Sequence, residues 1–462
     1  MCRARTGLRP SCKTVSPSFT FPVVRAETSD LRRAAFDILS HTLRAVDARR
    51  AVHQALDLRD DSLWVFDRSF DIGARPAYAI ALGKAAGPMA AALDDLLGER
   101  LRRGVASVYG GAPPLTTRWQ VFFGGHPLPN EESLAAGRCA LSLLRQADRE
   151  RALVIFLVSG GGSAMMEWPR SAAVSLAALR AVNETLVSCG ATIAEISAVR
   201  RAISAIKGGG LSAAAPQAEQ VTLIISDTNS GEEFNVASGP TLSPPNDAPD
   251  ARSVIAKYAL TKKLPHSILN SIENFRPRLQ PHPLHHSFVL LDNSDALRAA
   301  EERARELGFV TTVAADIVEQ EISQGCAELV RRLLDATTRP FCLLSGGEFS
   351  CVVRGEGKGG RNTETALRCA LELTTHGLAS PAADVPQALV LSAGTDGIDG
   401  NSPAAGAIAD DTTLARAREA GLDAAQFLAR SDSYTFFRLL GDAIVTGPTG
   451  TNVRDVRMLL KE

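Results

Sequence analysis

Nowhere in this 462-residue chain does an apolar run approach the ~18–20 residues that a membrane-spanning helix needs. An excess of either charge is also missing. Fifty Lys plus Arg face 51 Asp plus Glu, a formal net charge of −1. Bulk electrostatics therefore suggest neither a nucleic acid nor a membrane as partner. The eight cysteines (Cys2, Cys12, Cys139, Cys189, Cys326, Cys342, Cys351 and Cys369) form no C-x-x-C pair. That argues against a zinc site or a disulfide framework and fits a reducing compartment. Residues 1–26 contain no acid, yet hold Arg3, Arg5, Arg9, Lys13 and Arg25. No amphipathic helix is visible among their prolines, so 1–27 reads as a disordered or targeting tail. The expected location is cytoplasmic, with a mitochondrial address as the alternative.

What is present is an ordinary α/β composition long enough for two domains. Ser29-Asp30 can cap a helix that begins at Leu31, with Ala35, Ile38, Leu39 and Val46 on its apolar stripe. Short apolar strands are predicted at Tyr78–Leu82, Val105–Tyr109, Val121–Phe123, Leu153–Val158 and Val221–Ile225. Helical stretches separate them, which implies βαβ units and a parallel sheet. Prolines at 244, 245, 249, 265, 281 and 283 mark a change of character. The expected division is 28–261 for the N-terminal domain, 262–286 for a linker and 287–462 for a second α/β domain. The second pattern is expected to open at Phe288–Leu291. The run from His282 to His286 reads as solvated linker rather than a metal cluster, having no cysteine nearby.

Glycine-rich loops close many of these strands. Gly83-Lys84, Ser159 to Ser163, Ser226-Asp227, Ser345 to Glu348 and Thr395 to Asp399 all follow apolar runs. In open α/β sheets, ligands bind at that edge. The stretch from Leu343 to Leu367 is the densest example. A strand is predicted at Phe349–Val353, then Gly355-Glu356-Gly357-Lys358-Gly359-Gly360, then Arg361-Asn362 opening a helix. Glycines allow close backbone approach, and free N–H groups at a helix start suit an anion. Lys358 and Arg361 add positive charge there. Backbone amides, cations and carboxylates together are what phosphoryl transfer requires.

Two nucleotide motifs fail. A P-loop needs glycine five residues before Gly83-Lys84 and Ser or Thr after; Tyr78 and Ala85 stand there. Gly355 to Gly360 matches G-x-G-x-x-G, but the acid expected about 20 residues on is missing, Asp396 lying about 36 residues from Gly360.

With these loops in view the chain resembles the glycerate 2-kinase family, whose C-terminal half is called the MOFRL domain. The stretches that carry the resemblance are ALGKAAGPM, GGHPLPNEES, LVSGGGSAMM, RRAISAIKGGGL, SDTNSGEEFNVASGPT, LSGGEFSCVVRGEGKGGRNTETAL, SAGTDGIDGNSPAAGA and TGPTGTNVRD, in family order over about residues 78–455. It implies a two-domain fold: an N-terminal Rossmann-like α/β/α parallel sheet and a C-terminal α/β MOFRL-type domain (the MOFRL region at about 340–455), with the site in the cleft between them. It also implies ATP and Mg²⁺ as cofactors and D-glycerate as the small-molecule substrate, phosphorylated at its 2-hydroxyl. The protein is expected to be a monomer or homodimer.

The family's important lysine and arginine fall on Lys84 and Arg361. With Asp227 and Asp396 they form the expected catalytic set. Asp227, Asp396 and Asp399 are the expected metal ligands. Ser159, Gly160, Gly161, Gly162, Ser163, Gly346, Gly347, Glu348, Gly359, Gly360 and Asn362 are expected to hold substrate or phosphate. Lys207 either faces the cleft with them or caps its helix, and His126 is expected to be a turn residue. The chain departs from the family around Glu232-Glu233, where the register of the acidic pair is uncertain. Some members carry the label hydroxypyruvate reductase, which makes an NAD(P)H-dependent reductase the alternative reading.

Overall fold

The computed structural model describes residues 29–276, 282–376 and 387–462; the expected tail, 1–27, lies outside them. The chain forms two compact units. One is built on Ala48–Asp292; the other joins helix α1 (Asp30–Ala45) to Asn293–Glu462.

The sheet of the first unit contains β1 (Ala77–Leu82), β2 (Leu101–Val108), β3 (Trp119–Phe123), β4 (Leu153–Ser159), β5 (Glu219–Ile225) and β6 (His285–Leu291). All neighbours are parallel, in the order β3-β2-β1-β4-β5-β6. That is the doubly wound order in which the chain reverses direction across the sheet between β1 and β4. Every residue of β1 and β4 is buried, as strands covered on both faces must be. Tyr78, Ile80, Phe156 and Val158 pack there with Ala136, Ala140 and Leu144 of the helix Glu131–Arg149. Helix α2 (Ala86–Leu97) follows β1, and helix α3 (Ile193–Ile203) leads to the Lys207 loop.

The expected linker is instead part of this unit. Ile268 and Ile272, one helical turn apart, are buried in a cluster with Val199, Ile203 and Val254. His285–Leu291 pairs with β5 as the last strand of the sheet, so the run near Phe288 closes the first pattern rather than opening the second. Prolines suggested a loop here, but Pro265 only precedes a helix start.

The second sheet is mixed: β7 (Val310–Val313), β8 (Phe341–Ser345), β9 (Ala388–Gly394), β10 (Gly406–Asp410), β11 (Ala443–Ile444) and β12 (Asp455–Lys461), in the order β7-β8-β12-β9-β10-β11. Strand β12 runs antiparallel between β8 and β9. Its first residues therefore lie at the edge where β8 and β9 end, with Arg457 opposite Ser345 and Asp455 opposite Gly394. Helix α4 (Arg361–Thr375) packs on this sheet.

Helix α1 starts where Ser29 caps it, but it belongs to this unit and not to the first. Arg32 bonds Asp410 and Asp442, each at 2.7 Å, and Asp37 accepts from Arg303 at 2.5 Å. The expected strand at Phe349–Val353 does not form. Val352 and Val353 stand in solvent, at 61 % and 76 % exposure, and their β-branched run has no ladder to join.

Candidate active site

The reversal point of the first sheet is built by two interlocked loops. Gly83 has φ +110°, and a Cβ there would lie 2.3 Å from Ser159 O, so only glycine fits. The next two amides fix the loops together: Lys84 N–H donates to Gly160 O at 2.9 Å and Ala85 N–H to Ser159 Oγ at 3.0 Å. Ser159 and Gly160 therefore shape the site through buried contacts. Beyond them the chain turns at Gly161, φ +82°, into the short helix Gly162–Met165. The N–H groups of Gly161, Gly162 and Ser163 take no partner among the described residues, as expected at a helix start. The Lys84 and His126 side chains flank Gly161, each 3.2 Å from where its Cβ would be. His126 thus lies beside the open amides, where the sequence suggested only a turn residue. Asp227 follows β5 and is half-buried.

Lys207 does not join this group. It is 1 % exposed, its ammonium pairs with Glu167, and Ser204 Oγ lies 3.5 Å away. Burial pulls its pKa below the usual lysine value against the attraction of Glu167. Its charge neutralises a buried carboxylate, which corrects the expectation that it holds substrate. Lys207→Met should leave ligand binding unchanged but cost about 3 kcal/mol of stability, because Glu167 is stranded. Adding Glu167→Gln should recover most of that loss in urea denaturation.

In the second unit, most of the predicted anion-holding amides are already taken. Gly347 N–H donates to Asn293 Oδ1, Gly359 N–H to Asn401 Oδ1 and Gly360 N–H to Thr363 Oγ1. A Cβ on Gly346 would fall 1.8 Å from Asn293 Oδ1, so that loop is packed shut. The start of α4 already holds an anion, and it is Asp399. Its carboxylate accepts the N–H of Asn362 at 2.9 Å, the N–H of Thr363 at 2.8 Å and Thr363 Oγ1 at 2.7 Å. Burial pushes its pKa up to about 6 despite these donors. Asp399 is a helix cap with its oxygens occupied, not a metal ligand. Asn362 is likewise internal, donating to Asp455 and accepting from Ser392.

Arg361 remains at the rim of this arrangement. Its Nε and Nη2 fork onto Asp455 at 2.5 and 3.1 Å, and Nη2 lies 2.8 Å from Glu348. Burial opposes the charge, but Asp455 and Glu348 outweigh it and raise the pKa well above its ordinary value. Nη1 makes no hydrogen bond among the described residues. Asp455, 1 % exposed, is thus the positioning residue that the sequence reading did not single out. The Asp396 side chain accepts the Ile398 N–H at 3.1 Å and stays half-buried.

Among the described residues, no three His, Cys, Asp or Glu side chains cluster as a metal site. Asp227 and Asp396 each stand just past the end of a strand.

Open amides beside a lysine, with a carboxylate-held arginine at a second set of strand ends, place the chain among α/β enzymes that act on small anions. A family model described as a domain of unknown function (DUF4147) matches residues 34–273, and the MOFRL family model matches residues 341–455. A glycerate 2-kinase from Pyrococcus horikoshii is 35 % identical over 92 % of this chain and 96 % of its own length. The solved glycerate kinase of Thermotoga maritima matches with a TM-score of 0.75 at 29 % identity, covering 94 % of this chain and 99 % of that one. A relative from Agrobacterium vitis with the provisional name hydroxypyruvate reductase is 37 % identical over 82 % of this chain and 86 % of its own. The chain belongs to the glycerate 2-kinase family. No helix among the described residues is long and apolar enough to cross a membrane.

Proposed function

We propose that the chain transfers the γ-phosphoryl group of ATP to the 2-hydroxyl of D-glycerate, giving 2-phosphoglycerate and ADP. The observation that carries this reading is the row of open N–H groups at Gly161, Gly162 and Ser163 beside Lys84, at the reversal point of the sheet. Amides and a compact ammonium held in place stabilise phosphoryl oxygens without reorganising during the reaction. Arg361 offers Nη1 to a second anionic group. The 2-hydroxyl oxygen forms the new bond to phosphorus as the bond to the β–γ bridging oxygen breaks. Asp227 or Asp396 takes the hydroxyl proton. Bound with the nucleotide, Mg²⁺ would neutralise phosphate charge and needs only one or two protein carboxylates, for which either Asp227 or Asp396 would serve.

The reductase reading has less support. The loop at the reversal point, Gly83-Lys84-Ala85-Ala86-Gly87, lacks the G-x-G-x-x-G pattern of a dinucleotide site. The one match, Gly355 to Gly360, follows no strand, and its Gly357 N–H is taken by Arg430 O. Purified protein given D-glycerate, ATP and Mg²⁺ should release ADP and form 2-phosphoglycerate rather than the 3-phosphate. Hydroxypyruvate with NADH should show no loss of nicotinamide absorbance; NADH oxidation without ADP release would overturn the kinase assignment.

A further inference from the structure

Arg201 lies in the last turn of α3 and is 3 % exposed. Its Nη1 donates to Asn235 Oδ1 at 3.2 Å, while its Nη2 is enclosed without a hydrogen-bond partner among the described residues. Burial lowers its pKa to about 10, and no carboxylate offsets that effect. Glu167, a buried acid of the same unit, is already held by Lys207. A buried guanidinium with an open donor and no counter-charge is costly unless an anion completes it.

Its surroundings lead back to the open glycine loop. A Cβ on Gly208 would lie 3.1 Å from Arg201 Cδ, and Gly208 N–H donates to Ser238 O. Ser238 Oγ is 3.2 Å from Ser197 Oγ, one helical turn before Arg201, and 2.7 Å from Ser163 Oγ in the loop. The turn at residues 233–238 that supplies Asn235 and Ser238 is strained, with Ala237 and Ser238 at φ +50° and +60°. It also carries a second incomplete group. Glu233 is 5 % exposed; its Oε1 accepts the Gly231 N–H, and its Oε2 is buried without a partner among the described residues.

We propose that Arg201 Nη2 receives the carboxylate of the acceptor substrate and that Glu233 Oε2 accepts one of its hydroxyls, making this pair the determinant of acid over neutral polyol. The proposal rests on the kinase reading above. One open donor and one open acceptor, both enclosed, complement a molecule that brings a carboxylate and a hydroxyl. A nucleotide polyphosphate would bring several negative charges to a single guanidinium. A compact hydroxy acid matches one guanidinium and one carboxylate, each fully enclosed.

Arg201→Met tests this. KM for D-glycerate should rise about a hundredfold or more, the usual cost of removing one partner of a buried charged hydrogen bond. KM for ATP should stay within about twofold, and turnover of D-glyceramide, the uncharged amide, should change little. The preference for acid over amide should therefore collapse, whereas a purely structural role would weaken both substrates alike. An acid-to-amide ratio within about threefold of wild type would overturn the proposal. Should Arg201→Met fail to fold, Arg201→Lys keeps the charge but not the fork, and should raise KM for glycerate about tenfold with the same selectivity loss. Should neither fold, a crystal structure of the wild-type protein with D-glycerate decides: a carboxylate oxygen about 3 Å from Nη2 supports the assignment, and any other seat refutes it. Wild-type protein that releases no ADP from glycerate and ATP overturns the kinase reading itself, and this proposal with it.

Discussion

Lys84→Ala should lower kcat by about a thousandfold while the melting temperature moves by no more than about 2 °C. The two halves of that expectation come from different parts of one residue. The backbone N–H of Lys84 on Gly160 O, which ties the two loops together, is retained by alanine. Its neighbours Gly83 and Ala85 carry the remaining loop contacts with Ser159, and neither changes. What the substitution removes is the charged side chain whose stem flanks Gly161 and its open amides. Charge that develops on a transferring phosphoryl group then loses a fixed cation, for which three neutral amides cannot substitute. Lys84→Arg should recover only part of the rate, since a planar fork does not occupy the place of a compact ammonium. Steady-state kinetics with thermal unfolding of the same samples separates the two effects. A folded alanine variant that keeps kcat within about fivefold of wild type would remove Lys84 from the reacting atoms.

The buried parallel strands were legible because Leu153–Val158 is an unbroken apolar run and Val221–Ile225 is interrupted only by Thr222. Strand β12 was not legible. Its sequence, DVRMLLK, carries charge at Asp455, Arg457 and Lys461, yet all seven residues are buried. Distant groups absorb those charges: Arg457 lies 3.7 Å over the Phe349 ring and donates to Ser345 Oγ, and Lys461 donates to the carbonyls of Leu334 and Ala336. The glycine loops were recognisable as loops, but whether their amides are open depends on side chains far along the chain. Asn293 closes Gly347 and Asn401 closes Gly359. Asp399, 36 residues after Thr363, occupies the helix start that composition alone offers to a phosphate. Lys207 read as a candidate because a lysine before three glycines looks exposed; only the fold brings Glu167 to it.

Asp455→Asn should depress kcat/KM about a hundredfold, nearly as far as Arg361→Ala, and the double variant should be no worse than either. Asp455 reaches no solvent, so its effect must pass through what it holds. It takes Nε and Nη2 of Arg361 and the amide of Asn362, which fixes the guanidinium plane and leaves Nη1 as the outward donor. An asparagine presents an NH₂ to one limb of that fork, and two donors facing each other turn the arginine away. If the two residues act as one unit, independent losses that would multiply to about 10⁴ should stay near 10², a coupling of about 3 kcal/mol. Stability should separate the variants in the opposite sense. Arg361→Ala strands a buried carboxylate and should cost about 3 kcal/mol, whereas Asp455→Asn leaves a neutral amide and a half-exposed arginine that water can reach. Adding Asp455→Asn to Arg361→Ala should therefore raise stability in urea without restoring activity. Activity losses that multiply, together with stability losses that add, would show that Arg361 is positioned by something other than Asp455.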